Sequence, residues 1–540
     1  MAAFIIGLGV TLWHCFTFGD IYRVINGYDS CANVCGRITP TETNTEFRCK
    51  GADMKKNKYL LIKEASRAIV NPRNVFKECV MSCDVYPGFQ EFLNRCIPKQ
   101  GVEVVNQFFS KTGLNDFFLE VTEDIHLCWP EILYSCLIAF VLSLIVLFLL
   151  RYVVGFVIWV VLIGTVIASL GTTIYLWVSW KEKMKIKHES YSSQNEVNTY
   201  LGYAIVATVV TVIIFLVIFV MRKRVRLVMQ LFTEAGKALS SMPLLLFLPI
   251  LTFIVLGISF GLWLYFSLWI ESSGHLTKSS PSFYYEKDTT MKVARWYNFL
   301  ALLWFVQFCI GCQHMVIAGS VATWYFVRDK RNVDSPIENS FRYLTRYHLG
   351  SVALGSFLIA LLQFLRSMLM AIQKALKDPE HELTKLCNKC CQCCLLCFEK
   401  ILVYISRNAY IEIAIYGENF SGGAQRALKM LATNALRVAA INSVGDFVLF
   451  LGKVLVVVVT LLLCIIMLDN KEGILHMWIP LTLVGIFAYL VSHCFITVYE
   501  MVIDTIFLCF CEDCEINDGV NKPYFMNQGL MVSMKHFHPQ

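Results

Sequence analysis

Residues 296–327 read WYNFLALLWFVQFCIGCQHMVIAGSVATWYFV and contain no Asp, Glu, Lys or Arg. A bilayer core needs about 20 apolar residues in a helix, so this stretch spans one with length left for tilt. The basic run RDKR, residues 328–331, follows at once. A Lys/Arg cluster just past a span marks the cytoplasmic side. Within the stretch, Trp304, Gln307, Gly311, His314 and Ala318 recur at helical spacing and share one face, which Tyr325 continues. Two readings fit that face. Polar groups in hydrocarbon usually point into a bundle or a watery cavity, which suits a substrate path. Small residues and interhelical hydrogen bonders equally suit helix packing.

The rest of the chain obeys the same constraint. Its 540 residues are 56% hydrophobic and only 16% charged, against about 25% charged in soluble proteins, and the mean hydropathy is +0.57. The expected fold class is an all-α polytopic membrane protein. The net charge of +7 follows from Lys/Arg near span ends and gives no reason to invoke nucleic acid. A Walker A sequence, H-E-x-x-H and G-x-S-x-G are all absent, so the chain reads as a non-enzyme with no cofactor or metal.

The expected organisation is a first span within residues 1–19, an extracellular segment at 20–130, a membrane bundle at 131–507 and a cytoplasmic tail at 508–540. No cytosolic head precedes the first span, so the N-terminus is expected to be shortened relative to relatives. Residues 132–150 and 152–180 are uncharged on either side of Arg151 and are expected to form two spans joined by a tiny turn. Residues 200–221 span back, and the basic residues at 222–226 fix the next loop inside. Pro249 lies in the run 238–270 and is expected to kink or break it; Trp263, Tyr265 and Trp269 at its far end read as an interfacial aromatic belt. Residues 349–365 and 401–416 are weaker spans, the second carrying Arg407 and Glu412. Residues 447–468, with Lys453 inside, and 474–498 are clear ones. Counting both weak segments gives ten spans and omitting them gives eight.

Seven cysteines fall between residues 20 and 130. That density suggests disulfides on an oxidising side. Cys31, Cys35, Cys49, Cys79, Cys83 and Cys96 are candidates for three bridges of undetermined pairing, and residues 59–69 look like an amphipathic helix. A second cluster, LCNKCCQCCLLC at 386–397, suits either S-acylation or metal. Cys509, Cys511 and Cys514 suit acylation. On the last span Tyr489, His493, Glu500 and Asp504 share a face. His493 could titrate near neutral pH and the acids could attract a cation, or the acids simply sit in the interface. Asp446 and Lys453, seven apart, face the same way and suit an ion pair; snorkelling of Lys453 is the simpler account.

Several long words carry a resemblance that periodicity does not. They are INGYDS (25–30), NVCG (33–36), CQHMVIAGSV (312–321), FVRDKRN (326–332) and RYHLGSVALGSF (346–357). RNAY (407–410), NALRVAAINSVGDFVLFLGKVL (434–455), SHCFITVYEMVIDTIFLCF (492–510) and NDG (517–519) follow. The chain resembles the choline transporter-like family. The resemblance implies about ten transmembrane helices, a cysteine-bearing extracellular domain after the first, and cytosolic termini. It also implies sodium-independent uptake of choline, with ethanolamine as a further substrate and protons as exchange partner, at the plasma membrane and the mitochondrial outer membrane. Glu412, Glu418 and Ser421 depart from the family pattern and put a contact near Tyr416 in doubt.

A quaternary ammonium offers no strong hydrogen-bond donor, so aromatic faces must hold it. The expected substrate-binding residues are Trp304, Gln307, His314, Tyr410, Tyr489 and Tyr499, with Tyr325 nearby. Asp446, His493, Glu500 and Asp504 supply charge or coupling. The rival reading is a non-transporting, acylated membrane scaffold or receptor whose ectodomain binds a partner.

Overall fold

The computed structural model describes residues 2–38, 53–62, 77–98 (apart from 84, 88 and 93), 124–189, 194–279, 282–330, 334–375, 382–435, 438, 441–469, 476–519 and 521–535. Seven helices among them are long and apolar enough to cross a membrane, and Phe4–Phe18 is a shorter apolar one. The chain is therefore a polytopic membrane protein of helices with a disulfide-bearing segment near its start. It divides into two compact units.

The first unit comprises Met1–Leu127, Thr252–Ile310 and Ser356–Lys400. Its first helix, α1 (Ala2–Phe18), buries Leu12 and Cys15 against Ile270, Met291 and Ala294. Beyond it lies a four-stranded sheet of β1 (Tyr59–Ile62), β2 (Lys77–Val80), β3 (Phe89–Phe92) and β4 (Arg95–Pro98), in the order β2-β1-β4-β3. Residues 59–62 are thus a strand and not the start of a helix. A four-residue YLLI run fits either period, and pairing with β2 and β4 decides it. Two bridges, Cys35–Cys79 and Cys83–Cys96, pin the sheet, and Cys31 is also disulfide-bonded. Cys49 and residues 63–69 lie outside the described residues. A hairpin of β5 (His275–Ser279) and β6 (Ser282–Glu286) packs on this region: the Phe283 amide donates to the Ser30 carbonyl at 2.9 Å and the Tyr285 hydroxyl to the Ala32 carbonyl at 3.1 Å.

The second unit comprises Cys128–Leu251, Gly311–Gly355 and Ile401–Gln540. Its α2 (Trp129–Glu189) is one helix of 61 residues, so the expected turn at Arg151 does not form. Only Gly155 stands near that arginine; an isolated Gly costs a helix about 1 kcal/mol but does not end it, no Pro, Asn or Asp lies close by, and Arg is itself a good helix former. Helix α3 (Gln194–Ser241) likewise runs through the basic residues that the sequence suggests are a loop. The two helices meet closely at Gly236, where an added Cβ would lie 2.7 Å from the Arg151 side chain. After α3 the chain does break, but ahead of Pro249. A 3₁₀ turn, Pro243–Phe247, precedes α4 (Leu248–Ser272), which puts Pro249 in the first turn, where its missing amide costs nothing.

Helices α5 (Thr289–Phe326), α6 (Leu349–Ala375) and α7 (Glu382–Tyr416) each contribute residues to both units. Helices α8 (Phe420–Thr433), α9 (Asp446–Asp469) and α10 (Trp478–Ile516) belong to the second, together with two short helices, Pro336–Tyr343 and Gln528–Lys535. Asn419 caps α8, its side-chain oxygen accepting from the Gly422 amide at 2.8 Å. The C-terminal half of α10 is the centre of the second core, buried almost without interruption from Phe495 to Asp513. Acylation of Cys509 and Cys511 does not fit that burial. Cys390, Cys391, Cys393, Cys394 and Cys397 on α7 are exposed.

Candidate functional site

In the first unit the ends of α4 and α5 enclose a cavity of about 410 Å³, lined by Trp263, Ser267, Glu271, Arg295, Trp296, Asn298 and Phe299, with Ile270 and Ser367. Its size falls within the ~300–1,000 Å³ usual for small-molecule sites. Asn298 donates to the Ser267 hydroxyl at 3.0 Å and fixes one wall. Glu271 is held by Lys287 and Arg295, both at 2.6 Å. The pocket therefore offers two indoles, a phenyl ring and a carboxylate whose charge is already opposed.

The same unit holds Trp304 and Gln307. Trp304 is packed edge-on between Phe4 and Phe357, at centroid distances of 4.8 and 5.0 Å. Gln307 donates to Gln363 at 3.3 Å, Gln363 donates to Glu399 at 3.0 Å, and Arg366 pairs with Glu399 at 3.3 Å. This polar chain gives α5, α6 and α7 the interhelical bonds that apolar contact in lipid does not supply.

In the second unit, Arg407 of α7 lies between two acids of α10. Its guanidinium reaches Glu500 at 2.5 Å and Asp504 at 2.8 Å. Acids four residues apart on a helix present two carboxylates to one planar fork. The charge expected to attract a cation is thus consumed by an arginine. Tyr410, one turn further along α7, is 2% exposed. Its hydroxyl occupies a notch made by two glycines: a Cβ on Gly311 would lie 3.2 Å from it and one on Gly355 2.6 Å. Tyr499 is fully buried and donates to the Phe232 carbonyl at 2.6 Å. Tyr325 is buried and donates to Asp513 at 3.3 Å. Tyr489 is 45% exposed and stacks on the exposed His493 ring at 5.9 Å. Asp446 is exposed, and no Asp446–Lys453 ion pair forms among the described residues. His314 is part-buried on the same helix as Gly311. The predicted aromatic residues therefore share no single described cavity: Tyr410 and Tyr499 are packed in the core, and Tyr489 faces outward.

Comparison with known proteins decides the family. A family model described as plasma-membrane choline transporter matches residues 205–515. Choline transporter-like protein 1 of Xenopus laevis is 34% identical over 593 residues, covering 98% of this chain and 90% of that protein. The chain belongs to the choline transporter-like family. Choline transporter-like protein 1 of Rattus norvegicus is 39% identical over 409 residues, a stretch that covers 74% of this chain and 62% of the rat protein. Choline transporter-like protein 2 of Dictyostelium discoideum is 33% identical over 457 residues, 81% of this chain and 73% of that protein.

Two features of this choline transporter-like chain escape a reading by periodicity. Trp263 reads as a belt residue and Trp296 as the first residue of a span until α4 and α5 bring them to one cavity. Arg407 reads as an interruption of a weak span, although an arginine in hydrocarbon needs an acid, and Glu500 and Asp504 at i, i+4 were the visible candidates. Glu412 adds a third feature. It is fully buried, and neither carboxylate oxygen has a hydrogen-bond donor among the described residues.

Proposed function

We propose that this chain carries choline across the plasma membrane, and that the quaternary ammonium docks first among Trp263, Trp296 and Phe299. The observation that carries this reading is the cavity itself, with two indoles and a phenyl ring around a space of ligand size. Aromatic faces attract a trimethylammonium group through their quadrupole, by about 2 kcal/mol at a desolvated ring and about 0.5–1 kcal/mol at an exposed one. Family membership supports the same substrate class. Transport runs without sodium, takes ethanolamine more weakly, and exchanges a proton for the cation. The mitochondrial outer membrane is a second location.

The test is uptake of labelled choline by Trp263→Ala and Trp296→Ala, with surface biotinylation as control. Trp263 is the better shielded ring, and its loss raises KM by about 30-fold; loss of the more exposed Trp296 costs about two- to fivefold. Unchanged KM in both variants at normal surface expression would refute this placement. Proteoliposomes with and without an imposed pH gradient test the exchange, which predicts faster choline entry against an outward proton gradient.

A further inference from the structure

We propose that His14, His275 and Asp288 form a binding site for a divalent transition metal, with Zn²⁺ the ion that fits best. His14 lies in the last turn of α1, His275 opens β5, and Asp288 immediately precedes α5. Each offers one ligand atom, and the three atoms lie within 4.8 Å of one another. Both imidazoles converge on the same carboxylate oxygen: Asp288 Oδ2 is 2.8 Å from His14 Nε2 and 3.4 Å from His275 Nε2. Tetrahedral zinc with bonds of about 2.0–2.1 Å sets its ligands about 3.4 Å apart. The His275 contact has that spacing already, and the His14 contact needs to open by only about 0.6 Å to reach it.

The ligands are also held in place. The other oxygen of Asp288, Oδ1, accepts from the Met291 amide at 2.7 Å and caps α5, which aims Oδ2 at the histidines. The Phe18 ring packs beside both imidazoles, 5.0 Å from His14 and 4.3 Å from His275, which are themselves 6.1 Å apart. Neighbouring cations do not compete, because Lys287 is turned to Glu271 at 2.6 Å. Two imidazoles and one carboxylate suit zinc and its neighbours in the first transition row, not calcium or magnesium, which prefer oxygen. All three side chains are about a third to a half exposed, so a fourth coordination position is open to water. The hairpin that carries His275 packs on the disulfide-bearing segment, so the ion is drawn from the oxidising side of the membrane. Occupancy joins the first helix, the hairpin and the start of α5.

The experiment uses the full chain purified in detergent, stripped with chelator and titrated with Zn²⁺ against a chromophoric competitor. With the exposed cysteines of α7 alkylated beforehand, the otherwise wild-type chain takes up about one Zn²⁺, and His14→Gln, His275→Gln and Asp288→Asn each weaken binding by about tenfold or more with an unchanged size-exclusion profile. Asn at position 288 keeps the cap on α5, so that variant separates ligation from helix capping. Co²⁺ loaded into wild type supplies a readout independent of any variant, since coordination by imidazole gives visible ligand-field bands. Absence of saturable Zn²⁺ binding, binding unaffected in both histidine variants, or a featureless Co²⁺ spectrum would each overturn the site and leave an ordinary histidine–aspartate ion pair.

Discussion

Removing Arg407 leaves two carboxylates facing each other inside the second unit. The side chains of Arg407, Glu500 and Asp504 are 16%, 26% and 17% exposed, so little water reaches them. Breaking a buried ion pair from one side costs about 3–5 kcal/mol, because the surviving charge has no partner. In this cluster two charges survive, and they repel. Replacing all members with neutral groups costs far less, since the desolvation penalty goes with the charges. Arg407→Met therefore lowers stability by about 3–5 kcal/mol, and Arg407→Met with Glu500→Gln and Asp504→Asn recovers most of it. At about 2 °C per kcal/mol for a large domain, the single variant melts about 6–10 °C below wild type. The assay is thermal unfolding of detergent-purified protein followed by size exclusion. A triple variant no more stable than Arg407→Met would refute the account, because the residues would then not act as one unit.

Three further outcomes follow from single groups. Glu412→Met removes a buried carboxylate that has no donor, and raises stability by about 1–3 kcal/mol, visible as a melting point about 2–6 °C higher. Asp513 accepts from the amides of Phe525 and Met526 at 3.0 and 2.8 Å, from Asn517 at 2.8 Å and from Tyr325 at 3.3 Å. Asp513→Ala should release the segment after α10, and loss of about 2–4 kcal/mol speeds hydrogen exchange of those two amides about 30- to 900-fold. The bridge Cys35–Cys79 closes 44 residues and Cys83–Cys96 closes 13. Loop-closure entropy then makes Cys35→Ser the costlier loss, about 4 against about 3 kcal/mol, read as the larger fall in surface expression.

What the sequence reveals depends on how far apart the interacting residues lie. Charge-free runs such as 296–327 identify membrane helices because the bilayer constrains each segment on its own. Residues 59–62 are ambiguous, because a short apolar run acquires its period only from its strand partners. Arg151 shows the reverse error: one charge looks like a boundary, but nothing local there ends a helix, and α2 continues through it. Site residues are harder still. Arg407 and Glu500 are 93 positions apart, and His14 is brought to Asp288 only by the tertiary fold. No spacing rule links such pairs, although each charge in an apolar context signals that some partner exists.

That partner search bears on selectivity. Glu500 and Asp504 are bound to Arg407, and Glu271 is bound to Lys287 and Arg295. With those acids engaged, recognition in the proposed cavity rests on ring faces. A trimethylammonium group spreads its charge over methyls and suits such faces well, whereas a primary ammonium gives up more water and finds in the lining only the neutral oxygens of Ser267, Asn298 and Ser367 beside a carboxylate already paired. Choline should therefore be preferred over ethanolamine. The preference should narrow in Trp263→Ala, because removing a ring weakens the substrate that depends on rings and affects the other less. Competition of unlabelled ethanolamine against labelled choline, in wild type and in that variant, measures the narrowing directly. An unchanged ratio would mean that the indole does not face the ammonium group.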